Sequence, residues 1–185
     1  VRRRHPRWRV EVFEQNPPDA TFGFGVVFSE GALEFLERDA PDLYSQLLPR
    51  MERWPIQRIV HRDEQVDIDG NAFSAIARLR LNQFLRELCE RSGVGLAYQR
   101  VVHSLQELGP TDLIVGADGI NSRVRRMYQD VFQPQVEWLT NKFAWYGTTQ
   151  RFECLTLTFR ENEHGAFVAH HYRYSSSMST FVVEC

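Results

Sequence analysis

Residues 111–126, TDLIVGADGINSRVRR, constrain the fold more than any other stretch of this chain. Leu113, Ile114 and Val115 form an unalternated branched run, the pattern of a strand buried on both faces of a parallel sheet, and Ala117, Asp118 and Gly119 make the turn that leaves it. A carboxylate at such a strand end stays charged only where donors meet it, either backbone amides or hydroxyls such as those of a ribose. Two readings of Asp118 therefore stand together: an N-cap or turn aspartate before a surface helix, or an acceptor for a nucleotide. Residues 120–128 read as a short helix that Asn121 or Ser122 can cap, with N-terminal amides suited to an anion. Arg123, Arg125 and Arg126 either solvate that helix, hold the turn, or contact phosphate.

At 185 residues the chain can bury one sizeable core or form a lobe of something larger. A formal charge of -2 gives no reason to expect nucleic acid as a partner; the crowd of Arg2, Arg3, Arg4, Arg7 and Arg9 is better read as the solvated tail of a helix. Three widely spaced cysteines suit neither a disulfide framework nor a metal site, which favours a reducing, cytoplasmic setting. No stretch reaches membrane-spanning length.

Residues 9–14, RVEVFE, predict a short strand ending on Glu14, with Asn16-Pro17-Pro18-Asp19 stopping regular structure. An acid at that strand end is placed to accept from a ribose diol. On local pattern alone, the plainer account, a charged strand end beside a turn, is preferred. FGFGVVF at 22–28 has two glycines spaced by two but carries Phe28 where a dinucleotide fingerprint needs its third glycine. It reads instead as backbone passing close to something flat, or as the entry to an extended segment. Helices follow over 32–38, opened by Ser29, and over 41–51; residues 58–69 predict a hairpin at a sheet edge. The helix over 79–92 buries Leu81, Phe84, Leu85 and Leu88, and Arg78 stands at its entrance, where a cation opposes the dipole. Such an arginine is explained equally by surface placement or by a phosphate or carboxylate partner. Residues 95–102 read as another strand.

Beyond Pro134, aromatic and β-branched runs over 137–146, 154–160, 166–174 and 179–184 predict a mostly antiparallel sheet. Trp145, Tyr146, Phe159, His170 and Tyr172 are the candidates to line an apolar pocket, and strand alternation requires that some face away. Adjacent His170 and His171 point to opposite faces, so no metal site and no acid–base catalytic residue is assigned.

These residues fall in an order that resembles the class A flavoprotein aromatic monooxygenases, the para-hydroxybenzoate hydroxylase family. The similarity is greatest to its salicylyl-CoA, 2-aminobenzoyl-CoA and violacein-pathway hydroxylases. VFEQN with FGFGVVFS, RLRLNQFL, GADGINSRVR, WYGTTQ, FRENEHG and YSSSMSTFVVEC carry the resemblance, which covers essentially the whole chain. It implies an α/β fold: a partial Rossmann-like FAD-binding domain with a parallel sheet, plus a mostly antiparallel substrate domain. The expected division is 1–57 and 78–133 for the FAD-binding part, 58–77 for a substrate-domain hairpin or insert, and 134–185 for the substrate sheet. Glu14 would meet the adenosine ribose of FAD, Arg78 the flavin nucleotide, Asp118 and Gly119 the pyrophosphate. Arg125 would join that network and nicotinamide cofactor use.

The family opens with a strand and glycine-rich loop that precede Val1 in register, and has a later Gly-Asp motif beyond Cys185. The resemblance thus implies a fragment of a parent enzyme with one of three FAD-binding elements, itself inactive or weak in FAD binding. In that parent, NAD(P)H reduces FAD, dioxygen adds to give a flavin hydroperoxide, and one oxygen enters a small aromatic substrate. A flavin or nicotinamide oxidoreductase without oxygenation, and a non-catalytic two-layer binding domain, are the alternatives.

Overall fold

A computed structural model describes all 185 residues, and the chain divides into two compact units, residues 1–18 with 92–140 and residues 19–91 with 141–185.

In the first unit, strand β1 (Glu11–Phe13) pairs in parallel with β7 (Gly95–Ala97), from Glu11 opposite Gly95 to Phe13 opposite Ala97. The ladder runs on past both strands: the Glu14 amide donates to Ala97 O at 2.9 Å, Arg100 N to Glu14 O at 3.0 Å and Gln99 N to Asn16 O at 3.2 Å. The expected strand at Leu113–Val115 does not form: no ladder partner pairs with it, and Leu113 and Val115 are 73% and 75% exposed. A buried parallel strand requires neighbours at its edges and layers on its faces, and the parallel sheet of this chain holds only β1 and β7. Nor do residues 1–8 form a helix. Pro6 cannot donate and biases His5 away from helical backbone, so the segment closes as turns, with Arg4 and His5 amides both on Val1 O and the His5 and Trp8 rings stacked at 4.2 Å. The strand expected over 95–102 is limited to Gly95–Ala97, and residues 105–108 form a 3-10 turn capped by Ser104.

The second unit holds two sheets. Strands β2 (Gly25–Ser29), β6 (Phe73–Ala77) and β3 (Glu52–Trp54) form an antiparallel sheet in that order. Period-two alternation makes β6 a wall between two cores. Ala75 packs with Trp54, Cys154, Leu155 and Tyr172, whereas Ile76 packs with Leu47, Phe84 and Leu88. Those last three come from α2 (Pro41–Leu47) and α3 (Arg78–Arg91). Helix α1 (Glu30–Asp39) begins two residues before the expected start, directly after the expected opener Ser29, whose Oγ caps the first turn by accepting from Ala32 N at 3.2 Å.

The second sheet has six strands in the order β5 (Glu64–Ile68), β4 (Gln57–His61), β9 (Leu155–Asn162), β10 (Gly165–Arg173), β11 (Ser179–Glu184), β8 (Phe143–Thr148). Only β4 and β9 run parallel. The predicted hairpin β4–β5 is its edge. Cross-strand partners share a face, so register sorts the aromatic residues. Trp145 pairs with Val182, Val182 with His170 and His170 with Leu157; Phe159 pairs with Val168, two residues from His170 on the same face. Tyr172 is also two residues from His170 and shares it. Tyr146 pairs with Phe181 and Phe181 with His171, on the opposite face.

His171 illustrates what that opposite face demands. Its ring stacks on Phe181 at 5.2 Å and lies 4.2 Å from Phe152; Nε2 meets Thr158 Oγ1 at 3.2 Å, and Nδ1 is buried without a partner. Burial, and then neighbouring His170, lower its pKa from 6.5 to about 4. The unfolded chain binds this proton below pH 6.5 and the folded chain only near pH 4, so stability is full above that window and is lost as pH falls through it. Chemical denaturation at pH 7 and pH 5 is expected to show a loss on the order of 2 kcal/mol from this residue. His171→Phe should flatten that part of the profile, and an unaltered pH slope in the variant would contradict the assignment.

Candidate functional site

In the first unit the Asp-Gly turn is a closed hydrogen-bond system. Asp118 Oδ1 accepts from Ser122 Oγ at 2.5 Å, while Oδ2 accepts from the amides of Arg123 at 2.6 Å and Val124 at 3.2 Å. Ser122, only 8% exposed, N-caps α4 (Arg123–Met127) by accepting from Arg125 N at 3.0 Å. Burial opposes the charge on Asp118, but the Ser122 hydroxyl and the Val124 and Arg123 amides outweigh it and hold its pKa below the usual carboxylate range. Both of its oxygens thus serve the turn and the start of α4, the first of the two roles open from sequence. Gly119 sits at φ +77°, a backbone state side chains disfavour, with nothing within 4 Å of where a Cβ would stand. The Arg125 guanidinium donates to Ile120 O, and Arg126 to Asn121 O at 2.7 Å, so both arginines hold the turn. They also border a cleft of about 360 Å³ with Asn121, Gln129 and Trp138.

Glu14, half-buried at the end of β1, accepts at Oε1 from both the amide and the carboxamide of Asn16, at 2.7 and 2.8 Å, and Oε2 has no donor. Nothing in the local sequence pattern singles out Asn16. Its two-residue offset from an acid at a strand end is the only signal there.

In the second unit the two glycines of FGFG are explained by what they touch. A Cβ on Gly23, which also holds φ +105°, would overlap the Trp145 indole; one on Gly25 would lie 2.7 Å from Tyr174, and one on Gly147 would lie 2.6 Å from Phe24. The loop is thus pressed flat on the aromatic face of the six-stranded sheet, as the sequence suggests for a backbone passing close to something flat. Tyr172, 6% exposed, donates its hydroxyl to Gly25 O at 3.1 Å. Burial pushes its pKa up to about 12, against an opposing pull from Arg78. Arg78 opens α3; its amide donates to Phe24 O at 2.8 Å and its guanidinium lies 5.5 Å from the Trp145 ring centroid. Its Nε is buried with no acceptor. His170 Nε2 lies 3.7 Å from Glu184 Oε1 on the face that carries Trp145 and Phe159. Tyr146 is 56% exposed on the other side of the sheet, because its strand register alternates it away from Trp145.

In the first unit the groups left open suit a nucleotide in kind: Glu14 Oε2 can take a ribose hydroxyl, and the bare Gly119 can let a phosphate approach. In the second unit Arg78 Nε suits an anion, since it is buried without an acceptor. Asp118 Oδ2 is taken by the two amides of the turn, while Oδ1 accepts from Ser122 Oγ alone. The loop that frames Trp145 can be tested by substitution. Gly23→Ala is expected to cost about 1–3 kcal/mol in urea unfolding and to perturb tryptophan fluorescence. Gly31→Ala, where a Cβ meets nothing within 4 Å, should be neutral or stabilising. Equal effects of the two substitutions would contradict the packing described for Gly23.

No family model matches the chain. It is 39% identical over 184 residues to the salicyloyl-CoA 5-hydroxylase of a Streptomyces species, covering all of this chain and 36% of that protein. It is 31% identical over 196 residues to the protodeoxyviolaceinate monooxygenase of Chromobacterium violaceum, covering all of this chain and 50% of that protein. Its fold superposes on PqsL of P. aeruginosa with a TM-score of 0.70 at 17% identity, over 97% of this chain and 55% of that one. On 2-methyl-3-hydroxypyridine-5-carboxylic acid oxygenase the TM-score is 0.67 at 16% identity, over 96% and 52%. The chain therefore spans between about a third and a half of the length of these curated relatives. Matched along its whole length to part of a salicyloyl-CoA hydroxylase and part of a protodeoxyviolaceinate monooxygenase, and sharing with PqsL and the pyridinecarboxylic acid oxygenase a fold with a small parallel pair and a separate antiparallel sheet, this chain is similar to the para-hydroxybenzoate hydroxylase-like FAD-dependent aromatic monooxygenases.

Proposed function

We propose that this chain serves an FAD-dependent hydroxylase that uses NAD(P)H and dioxygen to place one oxygen atom on an aromatic ring. The relatives' names point to an aryl thioester or a tryptophan-derived substrate. The observation that carries the proposal is Arg78: a guanidinium whose Nε is buried without an acceptor, at a helix N-terminus where its charge opposes the dipole. That arrangement is costly unless an anionic group completes it, and the phosphates of a flavin nucleotide are such groups.

FAD, when bound, supplies the redox and oxygen-transfer chemistry. This chain's own residues bind, orient and exclude water. Glu14 would accept from the adenosine ribose, and the turn built by Asp118, Gly119 and Arg125 would shape the approach of the pyrophosphate. Trp145, Phe159 and His170 share a sheet face and are our candidates for the aromatic pocket. Tyr172 lies on the same face and is tied to the loop by its bond to Gly25 O, and Tyr146, on the reverse face, is the weakest of the five substrate candidates. The assignment of NAD(P)H use to Arg125 and of the protein to the cytoplasm belongs to the same proposal. Cys89, Cys154 and Cys185 are all free thiols, and no helix is long and apolar enough to cross a membrane.

Titration with FAD followed by flavin fluorescence is the test. Arg78→Met, which keeps bulk over Trp145 and removes the charge, is expected to weaken FAD binding at least about tenfold, the scale of a lost charge-assisted hydrogen bond. Unchanged affinity would contradict the assignment. Labelled dioxygen supplied with NAD(P)H and a candidate aryl thioester should leave label in the product. NAD(P)H oxidation without incorporation would favour an oxidoreductase that does not oxygenate.

A further inference from the structure

Glu14 reaches its position with half of its carboxylate already engaged. The amide and the carboxamide of Asn16 both donate to Oε1, at 2.7 and 2.8 Å, which fills the two lone-pair directions of that oxygen and leaves Oε2 without a donor. Asn16 is itself tied down. Its carbonyl accepts from Gln99 N at 3.2 Å, the Glu14 amide and carbonyl pair with Ala97 O and Arg100 N, and Gln99 adopts a left-handed backbone at φ +54° to make that connection. Arg100 in turn lies 5.1 Å from the Phe13 ring centroid, packing the residue before Glu14.

A glutamate at a free strand end explores several rotamers, and freezing them at the moment of binding has an entropic cost. Here that cost is met within the fold. We propose that Asn16 is a positioning residue that clamps one oxygen of Glu14 so that the other is held ready for the cis-diol of an adenosine ribose. The inference rests on the reading of this chain as an FAD-binding protein and goes beyond it by giving Asn16 a task in discriminating FAD from flavins that lack adenosine. A loop staple with no such task would leave that discrimination untouched.

Parallel fluorescence titrations with FAD and FMN separate these cases, because FMN lacks the adenosine ribose. Asn16→Ala keeps the backbone donor and loses the carboxamide; it is expected to weaken FAD about tenfold and leave FMN unchanged. Asn16→Asp, which sets a second carboxylate beside Glu14, should weaken FAD further and again spare FMN. Equal weakening of both flavins, or no change for FAD, overturns the positioning role. An unsubstituted protein that binds FAD no more tightly than FMN overturns the ribose role of Glu14 itself, and the inference with it.

Discussion

The contact on which the second unit depends is the close approach of a bare backbone to an aromatic sheet. Gly23 lies against the Trp145 indole, Gly25 against Tyr174, and the buried Tyr172 hydroxyl closes the contact by donating to Gly25 O. Glycine permits an approach that a side chain would block, and the hydrogen bond fixes its register. Consequences follow along the chain. The loop leads directly into β2, whose partner β6 divides the two cores, and β6 leads directly into α3, whose first residue is Arg78. Because Arg78 N donates to Phe24 O, the same loop also fixes the N-terminus from which the guanidinium reaches Trp145.

The first unit is organised by backbone hydrogen bonds more than by packing. Its two parallel strands are three residues each, and several of its apolar side chains, among them Leu113, Val115, Ile120 and Trp138, stand exposed. What order it has near the proposed nucleotide comes from hydrogen-bonded polar turns. Asp118, Ser122 and the amides of α4 satisfy one another, and Glu14, Asn16 and Gln99 do the same at the end of β1. A small parallel ladder carrying two rigid polar turns is well suited to present individual oxygens and amides without a large core beneath them.

Much of this was legible where local chemistry decides structure. Ser29 and Ser122 as caps, the α3 stripe of Leu81, Phe84 and Leu88, and the strand over residues 179–184 all follow from short-range rules, whereas Leu85, expected in the same stripe, is 47% exposed. The features that escaped depend on partners distant in sequence. Leu113–Val115 has strand composition but no ladder to join, and composition does not report neighbours. Tyr146 and Trp145 look equivalent until cross-strand register puts them on opposite faces. Asp118 was legible as a charged turn residue, but which donors meet its two oxygens depends on how the turn folds back onto the start of α4. The clamp of Asn16 on Glu14 required the path of the loop against Gln99.

The most direct measurement of the central claim is a crystal structure of the protein with FAD bound. The account predicts a ribose hydroxyl of the adenosine within hydrogen-bonding distance of Glu14 Oε2, with Oε1 still on Asn16, and an anionic oxygen of the cofactor on Arg78 Nε. An adenosine ribose bound away from Glu14, with Arg78 Nε still without an acceptor, would contradict it.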